Sequence, residues 1–259
     1  MSGREGRQTL RVATYNVHSW QGTDGAVDPQ RTMDTLAALD ADMVALQEVV
    51  SPHLAGAGYS LRELAQAYGY HVTFGPTMFR SDSRYGNALL SRQPPDGIGR
   101  HNLECVNREP RGALDATFAC GDTTLRLLTT HLGLKRWERA CQMRALQPLL
   151  DGEAAAVTVL MGDLNEWLPW GYARRRMRAL FGDAPAPRTF PSGWPLFALD
   201  RIHVRPGSRV LSLSAPKTAA TRLASDHLPL LADIDLSPSD SPGGFPGSRD
   251  EGSHDGGSR

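Results

Sequence analysis

Along the chain the apolar positions alternate between the two-residue period of a half-buried strand and the longer period of an amphipathic helix. Leu10–Asn16 reads as a strand. Asp28-Pro29 reads as an N-cap followed by proline at the first helical position, with Met33, Leu36 and Ala37 on one face of the helix. Met43–Gln47 is a short apolar run, predicted to be a buried strand that ends at Glu48. Leu61, Leu64, Ala65 and Tyr68 mark a second helix. Leu114, Ala116 and Phe118 alternate with Asp115 and Thr117, and Leu125–Thr130 is the expected hairpin partner across Cys120-Gly121-Asp122. Lys135–Leu150 is predicted to be helical with Trp137, Cys141 and Leu149 turned inward. Val157–Met161, Ala198–Val204, Val210–Ser214 and Leu230–Ile234 add further strands. Strands and helices mixed in this way predict a layered α/β or α+β architecture.

Composition narrows the picture. The chain has 259 residues, 40% of them apolar and 22% charged, as in ordinary globular proteins. Leu10–Leu236 shows neither an internal repeat nor a linker, so one domain spanning 10–236 is expected after a short N-terminal tail, residues 1–9. The segment 237–259 is rich in Gly, Pro and Ser, with almost nothing to bury, and is expected to be a disordered tail. Basic and acidic residues balance at 28 each. That balance argues against a protein that holds nucleic acid mainly by bulk positive charge. No stretch approaches the roughly 20 apolar residues needed to span a bilayer, and Met1–Gln8 lacks an apolar signal-peptide core. The cytoplasm is the expected compartment. Cys105, Cys120 and Cys141 match no zinc-binding spacing; free thiols are expected, with a Cys105–Cys120 disulfide as the alternative.

The chemistry gathers where strands end. Asn16 and His18 follow the first strand, Glu48 the second, His131 the Leu125–Thr130 strand, and Asp163 and Asn165 the Val157 strand. Asp200 opens another strand, and Asp226-His227 immediately precede the last. Polar groups on loops held by a rigid sheet are how layered enzymes assemble a site. Any one of these residues alone reads as a solvated loop residue; the set as a whole carries the argument. Carboxylates with an amide, and no cysteine or multiple-histidine cluster, favour a hard cation, Mg²⁺ or Mn²⁺, over zinc. Two histidines with carboxylates available to them add proton-handling capacity.

Seven blocks give the chain a recognisable kinship: Thr14-Tyr15-Asn16-Val17-His18, Leu46-Gln47-Glu48-Val49, Gly86-Asn87-Ala88-Leu89-Leu90-Ser91-Arg92, Thr130-His131-Leu132, Gly162-Asp163-Leu164-Asn165, Leu199-Asp200-Arg201-Ile202 and Ser225-Asp226-His227. In this order they resemble the endonuclease/exonuclease/phosphatase superfamily, which includes deoxyribonuclease I, abasic-site endonucleases, neutral sphingomyelinases and inositol-polyphosphate 5-phosphatases. The resemblance is nearest to small bacterial members, where Arg111-Gly112-Ala113-Leu114 and Arg188-Thr189-Phe190-Pro191 also recur. It implies a deoxyribonuclease I-like four-layer α/β sandwich, two packed mixed sheets with helices outside.

It also implies roles. Glu48 would be the principal metal carboxylate, with Asn16 beside it and Asp226 a further ligand. His227 would be the general base, oriented by Asp200; Asp163 would orient the nucleophile or metal. Asn165 and His131 would hydrogen-bond phosphate oxygens. His18 stands where some abasic-site endonucleases carry an acidic residue; contact with phosphate and simple packing are both open to it. Tyr85 and Asn87, with Arg84, form a candidate substrate edge, and Arg111 is either a phosphate contact or the ion-pair partner of Glu109. Trp167, Trp170 and Tyr172, followed by Arg174, Arg175, Arg176 and Arg178, read as a substrate rim or as a helix with a solvated basic face.

The expected function is therefore a divalent-metal-dependent phosphodiester hydrolase acting on nucleic acid or a phospholipid head group. Contact with a membrane surface is left open, and a monomer is expected. A phosphomonoesterase acting on a small phosphorylated metabolite or inositol phosphate is the alternative chemistry. A non-catalytic phosphate-binding module on the same fold is the alternative class.

Overall fold

The computed structural model describes residues 8–52, 60–152 and 155–237. Of the expected tails 1–9 and 237–259, residues 1–7 and 238–259 lie outside the described residues, and Thr9 already belongs to the first strand. Among the described residues eleven strands form two mixed sheets. The first contains β1 (Thr9–Asn16), β2 (Met43–Pro52), β3 (His71–Phe79), β4 (Ser83–Ser91), β10 (Val210–Ser214) and β11 (Leu230–Asp235), in the order β10-β11-β1-β2-β4-β3. The second contains β5 (Gly97–Asn102), β6 (Gly112–Cys120), β7 (Thr123–His131), β8 (Val157–Asp163) and β9 (Asp200–Arg205), in the order β5-β6-β7-β8-β9. Each sheet holds one parallel pair, β1 with β2 and β7 with β8.

Alternation along the strands generates three cores. Leu10 and Val12 of β1, Met43 and Ala45 of β2, Leu125 and Leu127 of β7, and Val157, Val159 and Met161 of β8 face the seam between the sheets. The opposite face of the first sheet, Ala13, Tyr15, Val44 and Leu46, packs on α1 (Pro29–Ala37) and α2 (Leu61–Ala67). Leu128 and Leu160 of the second sheet pack on α3 (Arg136–Asp151) and α4 (Tyr172–Phe181) through Met143, Leu146, Leu150, Ala173 and Met177. The result is helix, sheet, sheet, helix: the four-layer sandwich the resemblance implies. A short helix, α5 (Ala219–Ala224), leads into β11.

The N-cap reading at Asp28 agrees with the structure, its side chain accepting from Arg31 N at 2.9 Å. Four expectations need correction. Ala37 is exposed, and α1 buries Thr32, Met33, Thr35 and Leu36 instead. Trp137 turns outward and Leu149 is only half-buried, because α3 buries a partly polar face containing Glu138, Arg139 and Gln142. The second strand does not end at Glu48 but continues to Pro52 through a bulge. Cys105 pairs with Cys141, with Cα atoms 6.5 Å apart, and Cys120 alone is free. The reason is topological. Leu103 N bonds Arg111 O beside the start of β6, so Cys105 lies against α3, whereas Cys120 sits at the far end of the nine-residue β6, roughly 27 Å along the strand.

Two positions generate predictions. Gly162 has φ +148°, and a Cβ there would lie 1.9 Å from Thr130 O of the neighbouring strand. Gly162→Ala is expected to cost more than about 3 kcal/mol by forcing β7 and β8 apart, measurable by urea unfolding. His203 is buried on β9 against the Phe181 ring, and burial, then Arg201 and Arg174, lower its pKa from 6.5 to about 4. The unfolded state therefore binds the proton first, so stability is full above pH 6.5 and falls toward pH 4. That gap is worth about 3 kcal/mol. Melts across this range should show His203→Gln losing less than the parent protein.

Candidate active site

The inner rows of the strands change character toward one end of the sandwich. In β1, Leu10 and Val12 give way to Thr14 and Asn16; in β2, Met43 and Ala45 give way to Gln47; in β7, Leu125 and Leu127 give way to Thr129 and His131. A polar layer links the sheets first. Thr14 Oγ1 donates to Gln47 Oε1 at 3.2 Å, and Gln47 Nε2 donates to Thr129 Oγ1 at 3.4 Å. Above this layer the functional groups converge.

Glu48 reaches the site through a backbone irregularity. Val44, Leu46 and Val49 all belong to the outer core, so one extra residue lies between Leu46 and Val49, where the pairing with β4 slips. Glu48 occupies that position with φ 58°, in the left-handed region. Its carboxylate thereby meets Asn16 Nδ2 at 3.0 Å. The same amide nitrogen lies 3.1 Å from Asp163 Oδ2 of the other sheet. Asn165, also left-handed at φ 50°, donates its backbone N–H to Asp163 Oδ1 at 2.9 Å and its side chain to Leu132 O at 3.0 Å.

The two histidines are held in opposite ways. His227 Nδ1 lies 2.9 Å from Asp200 Oδ2. A carboxylate only accepts, so Nδ1 carries a proton, and Nε2 faces Asp163 Oδ2 at 3.8 Å. Burial alone would lower the His227 pKa, but Asp200, by charge and hydrogen bond, and then Asp163 and Asp226 raise it from 6.5 to about 10. Arg111 Nη1 lies 3.1 Å from His131 Nδ1, and the Asn165 side-chain amide lies 3.0 Å from Nε2. A guanidinium only donates, so Nδ1 accepts and the single proton of the neutral ring sits on Nε2; an imidazolium would leave the guanidinium no lone pair. Burial and the charges of Arg111 and His227 hold its pKa well below 6.5. Burial also pushes Asp163 up to about 6, Asp200 reinforcing the shift and His227 opposing it.

Asn16, Glu48, His131, Asp163, Asn165, Asp200 and His227 thus form one network. Asp226 and His18 stand beside each other, carboxylate and Nδ1 3.7 Å apart and both partly exposed. Arg111 is buried, holds Glu109 at 2.9 Å and also reaches His131. Asn87 lines a cleft beside Arg111, its amide bonded to Gly112 O at 3.1 Å; Tyr85 is buried nearby on β4. Trp170 and Arg175 do not join the network; with Trp137 they line a separate groove.

Three supports were missed. Thr189 Oγ1 donates to Asp200 Oδ2. Ser225 Oγ donates to Asn16 O at 2.7 Å and accepts from His227 N at 3.2 Å, tying the His227 loop to β1. Arg139, fully buried, pairs with Glu166 at 3.2 Å and donates to Leu134 O at 2.7 Å, clamping the loops after β7 and β8 together. A serine or threonine beside a site acid was the available signal for the first two. Arg139 gave none, being one arginine among several on an amphipathic helix.

Among the described residues no Lys or Arg pairs with Glu48 or Asp163. Negative charge on oxygen donors, opposed only by amides and imidazoles, fits a hard divalent cation. Ligand-capable atoms of Asp163, Asp200 and His227 also lie within 4.8 Å of one another. Asp200 Oδ2, however, is already engaged by His227 and Thr189.

The sequence pattern of the Endonuclease/Exonuclease/phosphatase family matches residues 13–227. The Escherichia coli protein YbhP, itself uncharacterised, is 28% identical over 250 residues, covering 88% of this chain and 97% of YbhP. The crystal structure of an endonuclease/exonuclease/phosphatase from Beutenbergia cavernae superposes with a TM-score of 0.70 at 26% identity, over 89% of this chain and 72% of that one. D. rerio TDP2, complexed with a single-strand DNA product, shares the fold at a TM-score of 0.61 and 21% identity, over 87% of this chain and 98% of that one. The chain belongs to the endonuclease/exonuclease/phosphatase family.

Proposed function

We propose that the chain is a divalent-metal-dependent phosphodiester hydrolase in which His227, oriented by Asp200, deprotonates the attacking water. The observation that carries this reading is the buried 2.9 Å Asp200–His227 contact, with Nε2 directed at Asp163 Oδ2. Glu48, with Asn16 beside it and Asp226 as a further donor, would hold the cation, which supplies Lewis-acid polarisation of the phosphate.

The protein's own groups do the rest. Nε2 of His227 accepts the proton from water, and Asp200 stabilises the imidazolium that results. Thr189 and the Ser225 bridge keep that pair in register. Asp163 lies between the two histidines, 3.5 Å from His131 and 3.8 Å from His227, where it can orient the nucleophile. His131, kept neutral by burial and by the Arg111 guanidinium at Nδ1, presents its Nε2–H, and Asn165 its side-chain amide, to the non-bridging oxygens as charge grows there. Histidines pushed apart in pKa are suited to these different tasks.

Hydrolysis of bis-p-nitrophenyl phosphate should vanish on exhaustive EDTA treatment and return with Mg²⁺ or Mn²⁺; full activity after chelation would remove the metal from the mechanism. Asn165→Ala should lower turnover by about two to three orders of magnitude with little change in KM. The pH profile tests the base. Only neutral His227 accepts a proton, so the rate rises with pH through its pKa. Asp200→Asn removes the charge that raises that pKa. Its rising limb should therefore move to lower pH while the plateau falls. An unmoved limb in a folded Asp200→Asn protein would show that His227 is not the base.

A further inference from the structure

Four of the chain's five tryptophans are exposed: Trp137 at 49%, Trp167 at 45%, Trp170 at 60% and Trp194 at 75%. The fifth, Trp20, is fully buried and donates to Val50 O. The exposed four sit on two loops and on the loop-and-first-turn segment that opens α3, each attached to a residue of the active site. Leu134 and Trp137 follow His131; Trp167 and Trp170 follow Asn165; Trp194, Leu196 and Phe197 precede Asp200.

These segments form one surface. Trp167 stacks against Phe197 with ring centroids 5.5 Å apart, joining the second and third loops. Trp137 and Trp170 line a common groove with Tyr172 and Arg175, joining the first and second. The third loop is strapped to the catalytic segment, Ser192 N donating to Asp226 O at 2.7 Å and Leu228 N to Thr189 O at 2.8 Å. Its Phe190 ring packs 4.8 Å from the His227 imidazole. An apolar rim of this kind, wasteful on a free surface, marks an interaction site.

Charge identifies the partner. Exposed Arg174 and Arg175, and half-buried Arg176, lie on α4 directly behind Trp170, and Arg136 joins Trp137 in the shared groove. Among the described residues none of these four pairs with a carboxylate, whereas the neighbouring Arg178 pairs with Asp183 at 2.8 Å. We propose that this rim docks on the surface of an anionic lipid bilayer, the tryptophans and leucines entering the interface and the arginines meeting lipid phosphates. The site then opens onto the head groups, and its substrate is a phosphodiester carried by a membrane lipid. Leu134 and Leu196 favour lipid over single-stranded nucleic acid, since they have no ring on which a base can stack. The substrate class rests on the proposed hydrolase activity, but docking is read by binding alone, so the two can fail separately.

The full chain should co-sediment with phosphatidylcholine vesicles containing phosphatidylserine, and less with phosphatidylcholine alone. Its tryptophan emission should shift to the blue and be quenched by brominated acyl chains. Trp170→Ala combined with Trp194→Ala should weaken binding by about tenfold or more, and Arg174→Gln with Arg175→Gln should remove the preference for phosphatidylserine. Absence of binding to either vesicle, or binding unchanged in the double tryptophan variant, would overturn the proposal. So would quenching by oligothymidylate in a protein that ignores vesicles, which would assign the rim to nucleic acid.

Discussion

Glu48 and Asp163 belong to different sheets, yet a single amide nitrogen, Asn16 Nδ2, touches both carboxylates. That contact requires the two sheets to meet in one alignment, which the apolar seam of Val12, Met43, Leu127, Val159 and Met161 enforces by close packing. The seam supplies most of the driving force, and the polar layer through Gln47 sets the register above it. The site is therefore a continuation of the core: the same inner rows that exclude water along most of their length end in groups that handle charge.

Around this junction, position rather than residue type differentiates the chemistry. His131 and His227 are both buried, yet Nδ1 of one meets a guanidinium and Nδ1 of the other a carboxylate. A neutral histidine and a basic one result from the same side chain. Likewise Asp163 and Asp200 are neighbours in the β8–β9 register, but Asp200 is engaged by Thr189 and His227 while Asp163 lies open to both imidazoles.

Much of this was legible in the sequence, because strand periodicity and the residue that ends each strand are local properties. The inner rows of β1, β7 and β8 could be read to their last functional residue. β3, β4 and β5 were passed over as strands: they carry glycine, proline and polar residues at positions where a buried strand would show apolar ones. Trp137 was placed inward because hydrophobicity was taken as burial, whereas α3 buries Arg139 against Glu166, a pairing fixed by a loop 27 residues away. The Cys105–Cys141 link was likewise nonlocal, decided by which end of β6 each cysteine lies beside. The roles assigned to Asn16, Glu48 and His227 came from ordered motifs, and their mutual distances could come only from the fold.

The bulge at Glu48 has a bearing on how such a site can change over time. Leu46 and Val49 sit on the same face of β2, so the strand pairs on either side as though the extra residue were absent. Removing that residue would restore unbroken pairing and erase the acid in one event, leaving the barrier between folded and unfolded chains largely to the flanking rows. Loss of the carboxylate can thereby come by deletion as well as by substitution, and its return by insertion. A lineage could abandon or recover the chemistry without rebuilding the sandwich that houses it.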